Sequence, residues 1–104
     1  MATGDNPVLE TLVDINAVSL SRTELDPASL ILVRLGALIA MDAPVSSYLL
    51  HVGPAEKSGI TVDQAQDVLV AVSPIVGAPR TAAAAVKIAE ALNLAIDMAS
   101  SQNA

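Results

Sequence analysis

The chain has 104 residues, of which 53% are hydrophobic, and a formal charge of −6 with five Lys and Arg, one aromatic residue and no cysteine. The missing thiols exclude disulfides and thiol catalysis, a single histidine argues against a protein-only zinc site, and the few cations argue against nucleic-acid binding. We therefore predict one domain over residues 1–104, with no metal, no cofactor, no nucleic-acid partner and frayed ends at 1–6 and 100–104.

The first two predicted elements are helices with clear start signals. "NPVLETLVDINAVSL" begins with Asn6 as a cap and Pro7 at the first helical position, and its apolar residues recur at helical spacing. "DPASLILVRLGALIAM" begins in the same way at Asp26 and Pro27, and it is apolar around its whole circumference. We expect this second helix to be buried on most sides.

The apolar surface of the second helix indicates how the chain assembles and where in the cell it is expected. A domain of this size buries only about 60% of the surface that its unfolded chain exposes. The remaining apolar surface must then be covered, and a second copy of the chain is the expected cover. Arg34 interrupts the run before it reaches the roughly 18 residues that a membrane span needs, and the start of the chain lacks the basic region of a secretory signal. We expect a cytoplasmic homo-oligomer without a membrane anchor.

Three further segments complete the predicted fold. The segment "DAPVSSYLLHVGPAEKSG" reads as a helix that breaks before Pro54 and stops at Gly59. Thr61 and Gln64 have the spacing of a capping box at the start of the next helix, and "PRTAAAAVKIAEALNLAIDMA" predicts a long final one. No segment alternates as a strand does. The prediction is an all-α, single-domain bundle of five or six helices.

The order of these signals over residues 25–93 resembles the carboxymuconolactone decarboxylase family, which includes the alkyl hydroperoxidase D-like proteins. The resemblance is carried by "LDP" at 25–27, "YLLHVGPAEKSGIT" at 48–61, "DQAQDVLV" at 63–70 and "IVGAPR" at 75–80. It implies an all-α fold that assembles into trimers or hexamers.

The residues that match the family do not include its catalytic groups. Ser47 and Pro44 stand where the peroxidase branch has its cysteine pair, so thiol peroxidase activity is not expected. Val45 and Ser46 stand where the decarboxylase branch has histidine and glutamate, and the early glutamate of the family falls on Ile31 or a neighbour. His51 alone remains in register, which indicates a degenerate or repurposed member.

His51 and Tyr48 are the candidate catalytic residues. They share a helix face with Ser47, so that a relay of hydroxyl, phenol and imidazole can form, and Ser46 and Ser47 are candidate substrate contacts. The alternative is structural: a half-buried histidine bonded to backbone or serine, with Tyr48 packed beside it.

Two arginines are candidate substrate-binding residues. Arg34 lies in an apolar helix and needs a partner, which is either Asp42, another acidic residue or carbonyls nearby, or the carboxylate of a ligand. Arg80 lies in the first turn of the last helix, where backbone amides also attract anions. The alternatives are interfacial pairing for Arg34, simple exposure for Arg80, and a capping role for Asp42.

Two functions follow from these residues. The first is a cofactor-free lyase or isomerase that acts by acid–base chemistry on a small organic acid, with His51 as acid or base. The second is a non-catalytic assembly or small-molecule-binding module that kept the fold. A cavity lined by both His51 and an arginine would favour the enzyme.

Overall fold

The computed structural model describes residues 6–52 and 61–103, and the predicted all-α fold is confirmed within them. These residues form five helices: α1 Pro7–Arg22, α2 Pro27–Ala40, α3 Val45–Val52, α4 Val62–Val76 and α5 Ala78–Asn103. α5 therefore continues past residue 100, where a frayed end was expected. The break expected at Pro54 and the stop expected at Gly59 lie outside the described residues.

The helices begin at the residues that the sequence indicates. The side chains of Asn6 and Asp26 each accept a hydrogen bond from the backbone amide three residues further on, and a proline follows each of them. Thr61 and Gln64 form both halves of a capping box, because each side chain accepts from the other residue's backbone N–H. These bonds satisfy amides that have no partner inside a helix.

The core lies between α2, α3, α4 and α5. α3 packs on α5, α2 packs on α4, and α4 also packs on α5 after the sharp turn at Gly77, whose φ is 92°. Half of the buried core residues are alanines, which lets the helices approach closely around one aromatic ring. The core cluster consists of Leu35, Ile39, Ala43, Tyr48, Ala65, Ala84, Ile88 and Ala91.

α2 ends in a Schellman motif in which Asp42 takes the left-handed position. Its φ is 54°, its backbone N–H donates to the carbonyl of Ile39, and the next amide, of Ala43, donates to the carbonyl of Leu38. Glycine is the usual residue at this position, and aspartate is one of the few others that tolerate it. Asp42 thus ends the helix with its backbone, which leaves its side chain free.

α1 stands apart from the other described helices. None of its residues is buried, and it packs against none of the four other helices. Among the described residues, Arg34 of α2 connects α1 to the other helices. It donates one hydrogen bond to Asn16 Oδ1 at 2.6 Å and one to Ser19 Oγ at 3.0 Å. α1 is therefore placed by two polar contacts and not by apolar packing.

α2 is less buried in the single chain than its sequence predicts. Leu35 and Ile39 are its buried residues, whereas Val33 on another side is more than half exposed. α2 packs mainly against α4, and the side that bears Val33 is not covered by the part of the chain that the structure describes. Among the described residues, no helix is both long enough and apolar enough to cross a bilayer.

Candidate functional site

A surface cleft of about 460 Å³ lies where the end of α2 meets the start of α5. Val76, Pro79 and Ala83 form its apolar wall, and Asp42 and Arg80 supply its charged groups. Its volume is within the range of small-molecule pockets, which are commonly about 300 to 1,000 Å³. The cleft therefore combines an apolar surface with a small number of charges.

Arg80 is fixed at the cleft by the end of α2. Its Nη1 donates to the carbonyl oxygen of Ala40 at 2.8 Å, which is one of the carbonyls left unpaired at a helix C-terminus. A guanidinium has five N–H donors in a planar fork, so this bond orients the group and leaves other donors available. The position of Arg80 in the first turn of α5 also puts it at the positive end of that helix dipole.

Lys87 is the second cation beside the cleft. Its Nζ lies 2.8 Å from Asp42 Oδ1, and the two side chains remain partly exposed. The hydrogen bond and the charge of Lys87, with a smaller effect from Arg80, hold the pKa of the Asp42 carboxyl below its ordinary value of 3.8. Arg80 and Lys87 carry two positive charges against one negative charge on Asp42, so this corner carries a net positive charge.

Asp42→Asn should make the protein less sensitive to acid. A carboxyl whose pKa is lowered by folding contributes stability that is present above about pH 4 and is lost as the pH falls through its folded value. Asparagine tolerates the same left-handed backbone and does not titrate. The drop in melting temperature between pH 7 and pH 3 should be smaller in the variant.

Asp26 provides the internal control for that measurement. Its pKa is lowered by hydrogen bonds from the side chain and backbone of Ser29, and this acid dependence is present in both proteins. An equal drop in melting temperature in the two proteins would show that the Asp42 pair has no net effect on folding.

His51 lies half-buried on α3, and its ring is oriented by backbone. Nδ1 lies 2.8 Å from the carbonyl oxygen of Ser47, one turn earlier. A carbonyl oxygen only accepts, so Nδ1 carries the proton in this contact. In the neutral ring Nε2 then has the free lone pair, which is the form that acts as a base. The relay interpretation requires the Ser47 hydroxyl as partner, whereas the observed bond to the Ser47 carbonyl is the backbone contact of the structural alternative.

Tyr48 lies in the core. Its exposure is 0%, and its hydroxyl has no hydrogen-bond partner among the described residues. This candidate catalytic residue belongs to the same buried cluster as Ala84 of α5, so in the single chain its ring is packed between helices as the structural alternative has it. Burial, and to a lesser extent the charge of Asp42, raise the pKa of Tyr48 above its ordinary value of 10.0.

The remaining predicted site residues do not gather at one place. Arg34 bonds to the neutral oxygens of Asn16 and Ser19 on α1, and within residues 6–52 and 61–103 neither Asp42 nor another carboxylate pairs with it. Ser46 is exposed and Ser47 is half-buried, both on α3. The cleft at Arg80 is not lined by His51.

A comparison with protein-family models decides the family. The model described as "Carboxymuconolactone decarboxylase family" matches residues 6–91. The chain belongs to the carboxymuconolactone decarboxylase family. The match begins ahead of α1, so this helix is part of the family domain although the sequence resemblance began only at residue 25. Searches of curated proteins and of solved structures found no match.

Two charged residues, Asp42 in the cleft and Lys87 beside it, were not predicted as site residues. The sequence predicts a capping role for Asp42 and assigns no role to Lys87 in the final helix. In the structure Lys87 pairs with a residue 45 positions away. No local sequence pattern predicts a pair between such distant residues. Arg80, in contrast, was predictable as a site residue from its position after the family's closing turn.

Proposed function

We propose that this protein is a small-molecule-binding member of the carboxymuconolactone decarboxylase family that holds an organic carboxylate in the cleft at Arg80. The observation that carries the proposal is the oriented guanidinium of Arg80 at the edge of an open apolar cleft. Fork-shaped donors suit carboxylate oxygens, which accept two parallel hydrogen bonds.

The charges around the cleft favour an anion of low charge. Lys87 is neutralised by Asp42, so the positive charge of Arg80 is the one left for a ligand. The start of α5 adds a favourable dipole. A ligand with one carboxylate and a compact apolar body matches this arrangement, because Val76, Pro79 and Ala83 offer it no polar partners.

The proposal is tested by calorimetric titration of the full chain with benzoate, with benzamide as its uncharged counterpart. Benzoate should bind and benzamide should not, and Arg80→Gln should weaken benzoate binding about 10- to 100-fold, the equivalent of one charge-assisted hydrogen bond. Arg22→Gln, which removes the same charge from the exposed end of α1, is the matched control. Equal affinities in Arg80→Gln and Arg22→Gln would contradict the proposal.

Acid–base chemistry at His51 is a second candidate function. It is supported by the contact that fixes Nδ1 on the Ser47 carbonyl and leaves Nε2 as the basic nitrogen. A lyase or isomerase of this kind would remove a proton next to a carbonyl or carboxylate of the same organic acid.

The enzymatic candidate has its own test. Proton exchange at carbon in D₂O, followed by NMR on a small keto acid, should be accelerated by the wild-type protein and not by His51→Gln. Exchange at equal rates in both proteins would contradict the enzymatic function, and binding would then be the function that remains. A histidine that is only structural would instead lower thermal stability when replaced, without any effect on exchange.

A further inference from the structure

Two cations of α5 lie on the same side of that helix. Arg80, Ala83 and Lys87 follow one another at spacings of three and four residues, which places them on one helix face. The backbone positions of Arg80 and Lys87 are about 10 Å apart along the helix axis. Ala83, whose side chain is a single methyl group, lines the cleft between the two longer side chains. α5 therefore offers two cations that are separated by a short apolar stretch.

Asp42 comes from the end of α2 and acts on both cations. It lines the cleft, and its Oδ1 accepts a hydrogen bond from Lys87 Nζ at 2.8 Å. The hydrogen bond and the charge of Lys87 lower the pKa of Asp42 most, and the charge of Arg80 lowers it further. Asp42 is therefore ionised at neutral pH, and its carboxylate is close enough to both cations to feel their charges.

The backbone at the end of α2 holds the Asp42 carboxylate in this place. Asp42 takes the left-handed position after the helix, and the carbonyl of Ala40, two residues earlier, holds the guanidinium of Arg80. The same helix end thus positions both the cation that would receive a ligand and the anion that pairs with Lys87. A ligand on Arg80 would bind beside a fixed negative charge.

The exposure of the pair indicates that it does more to the charge of the cleft than to the stability of the fold. The side chains of Lys87 and Asp42 are 29% and 49% exposed, and ion pairs with such exposure contribute little to folding. With Asp42 in place, a second anionic group on a ligand meets a carboxylate instead of a free ammonium group.

We propose that Asp42 is the residue that restricts the cleft to monocarboxylates, because it pairs with Lys87 and repels a second carboxylate of a ligand. The proposal rests on the proposed binding of an organic carboxylate at Arg80. A repulsive group of this kind is a common source of specificity between similar ligands. Replacement of Asp42 by asparagine removes the repulsion and frees Lys87, so that the cleft then holds a dicarboxylate between Arg80 and Lys87.

The experiment is calorimetric titration of the full chain at pH 7 with benzoate and with phthalate, isophthalate and terephthalate, whose two carboxylates are increasingly far apart. Wild type should bind benzoate more tightly than any of the three dicarboxylates. In Asp42→Asn at least one dicarboxylate should gain about tenfold in affinity relative to benzoate, the equivalent of one hydrogen bond to a charged group. Asparagine tolerates the same left-handed backbone, so the variant keeps the end of α2.

Two further variants identify the source of that gain. The double variant Asp42→Asn with Lys87→Gln should lose most of the gain, because the ammonium group of Lys87 supplies it. Asp63→Asn is the matched control, since it removes the same charge from α4 at a point about 20 Å along that helix from Val76 of the cleft wall. Asp63→Asn should keep the wild-type preference, because salt screens exposed charges at that distance.

The outcomes separate this proposal from the binding function on which it rests. If benzoate binds but its advantage over the dicarboxylates is the same in wild type and Asp42→Asn, the role of Asp42 is refuted and the binding function stands. An equal gain in Asp63→Asn, or a gain that the double variant retains in full, also refutes the role of Asp42. If neither wild type nor Asp42→Asn binds benzoate, both proposals are wrong.

Discussion

Leu35→Ala should lower the free energy of unfolding by about 3 kcal/mol, within the 2 to 5 kcal/mol typical of a leucine removed from a core. Leu35 is completely buried on the side of α2 that packs against α4, where Gly36 already brings the two helices together. Half of the buried core residues are alanines, so few large side chains can move to fill the space. This loss is a large part of the whole free energy of unfolding of a domain of this size.

Urea denaturation followed by circular dichroism measures this effect, at one fixed protein concentration so that assembly contributes equally. Val86→Ala is the control, because Val86 lies on α5 with more than half of its surface exposed. Val86→Ala should change the free energy of unfolding by no more than about 0.5 kcal/mol. If Leu35→Ala lowers the free energy of unfolding no more than Val86→Ala does, Leu35 does not lie in the core of the folded protein.

Tyr48→Phe should stabilise the protein by about 1 to 3 kcal/mol, which is the usual cost of a buried polar group without a partner. The phenol hydroxyl is buried and unpaired among the described residues, and phenylalanine fills the same space without it. A hydroxyl that has a hydrogen-bond partner would give the opposite result, with the variant less stable than wild type.

The same residue gives a spectroscopic test. Tyr48 is the chain's one aromatic residue, so absorbance at about 295 nm reports its ionisation alone. Its pKa is raised by burial first and by Asp42 second, so the folded state favours the neutral phenol. The stability that this provides is present below pH 10 and is lost as the pH rises through the folded value. Wild type should therefore lose stability above pH 10 more steeply than Tyr48→Phe.

The helix starts were predictable because they depend on neighbouring residues. The caps at Asn6, Asp26 and Thr61 each bond to an amide within three positions, and such contacts are encoded locally. The family could also be inferred, since it depends on the order of these signals along the chain.

The site was less predictable because its contacts join distant parts of the chain. Lys87 meets Asp42 across 45 positions, and Arg34 meets Asn16 across 18, so local patterns could not assign either partner. The burial of Tyr48 depends on how α3 lies on α5, which local patterns do not specify. Arg80 is the predicted binding residue that the structure does place at a cleft.

The most direct test of the proposed binding site is a titration of the ¹⁵N-labelled chain with benzoate, followed by amide and arginine side-chain NMR signals. The shifts should concentrate on Asp42, Val76, Ala83 and the Nε–H of Arg80, and they should saturate. The amides around His51 should move little, because His51 does not line this cleft. Shifts centred on His51 with no change at Arg80 would place the ligand elsewhere and contradict the account.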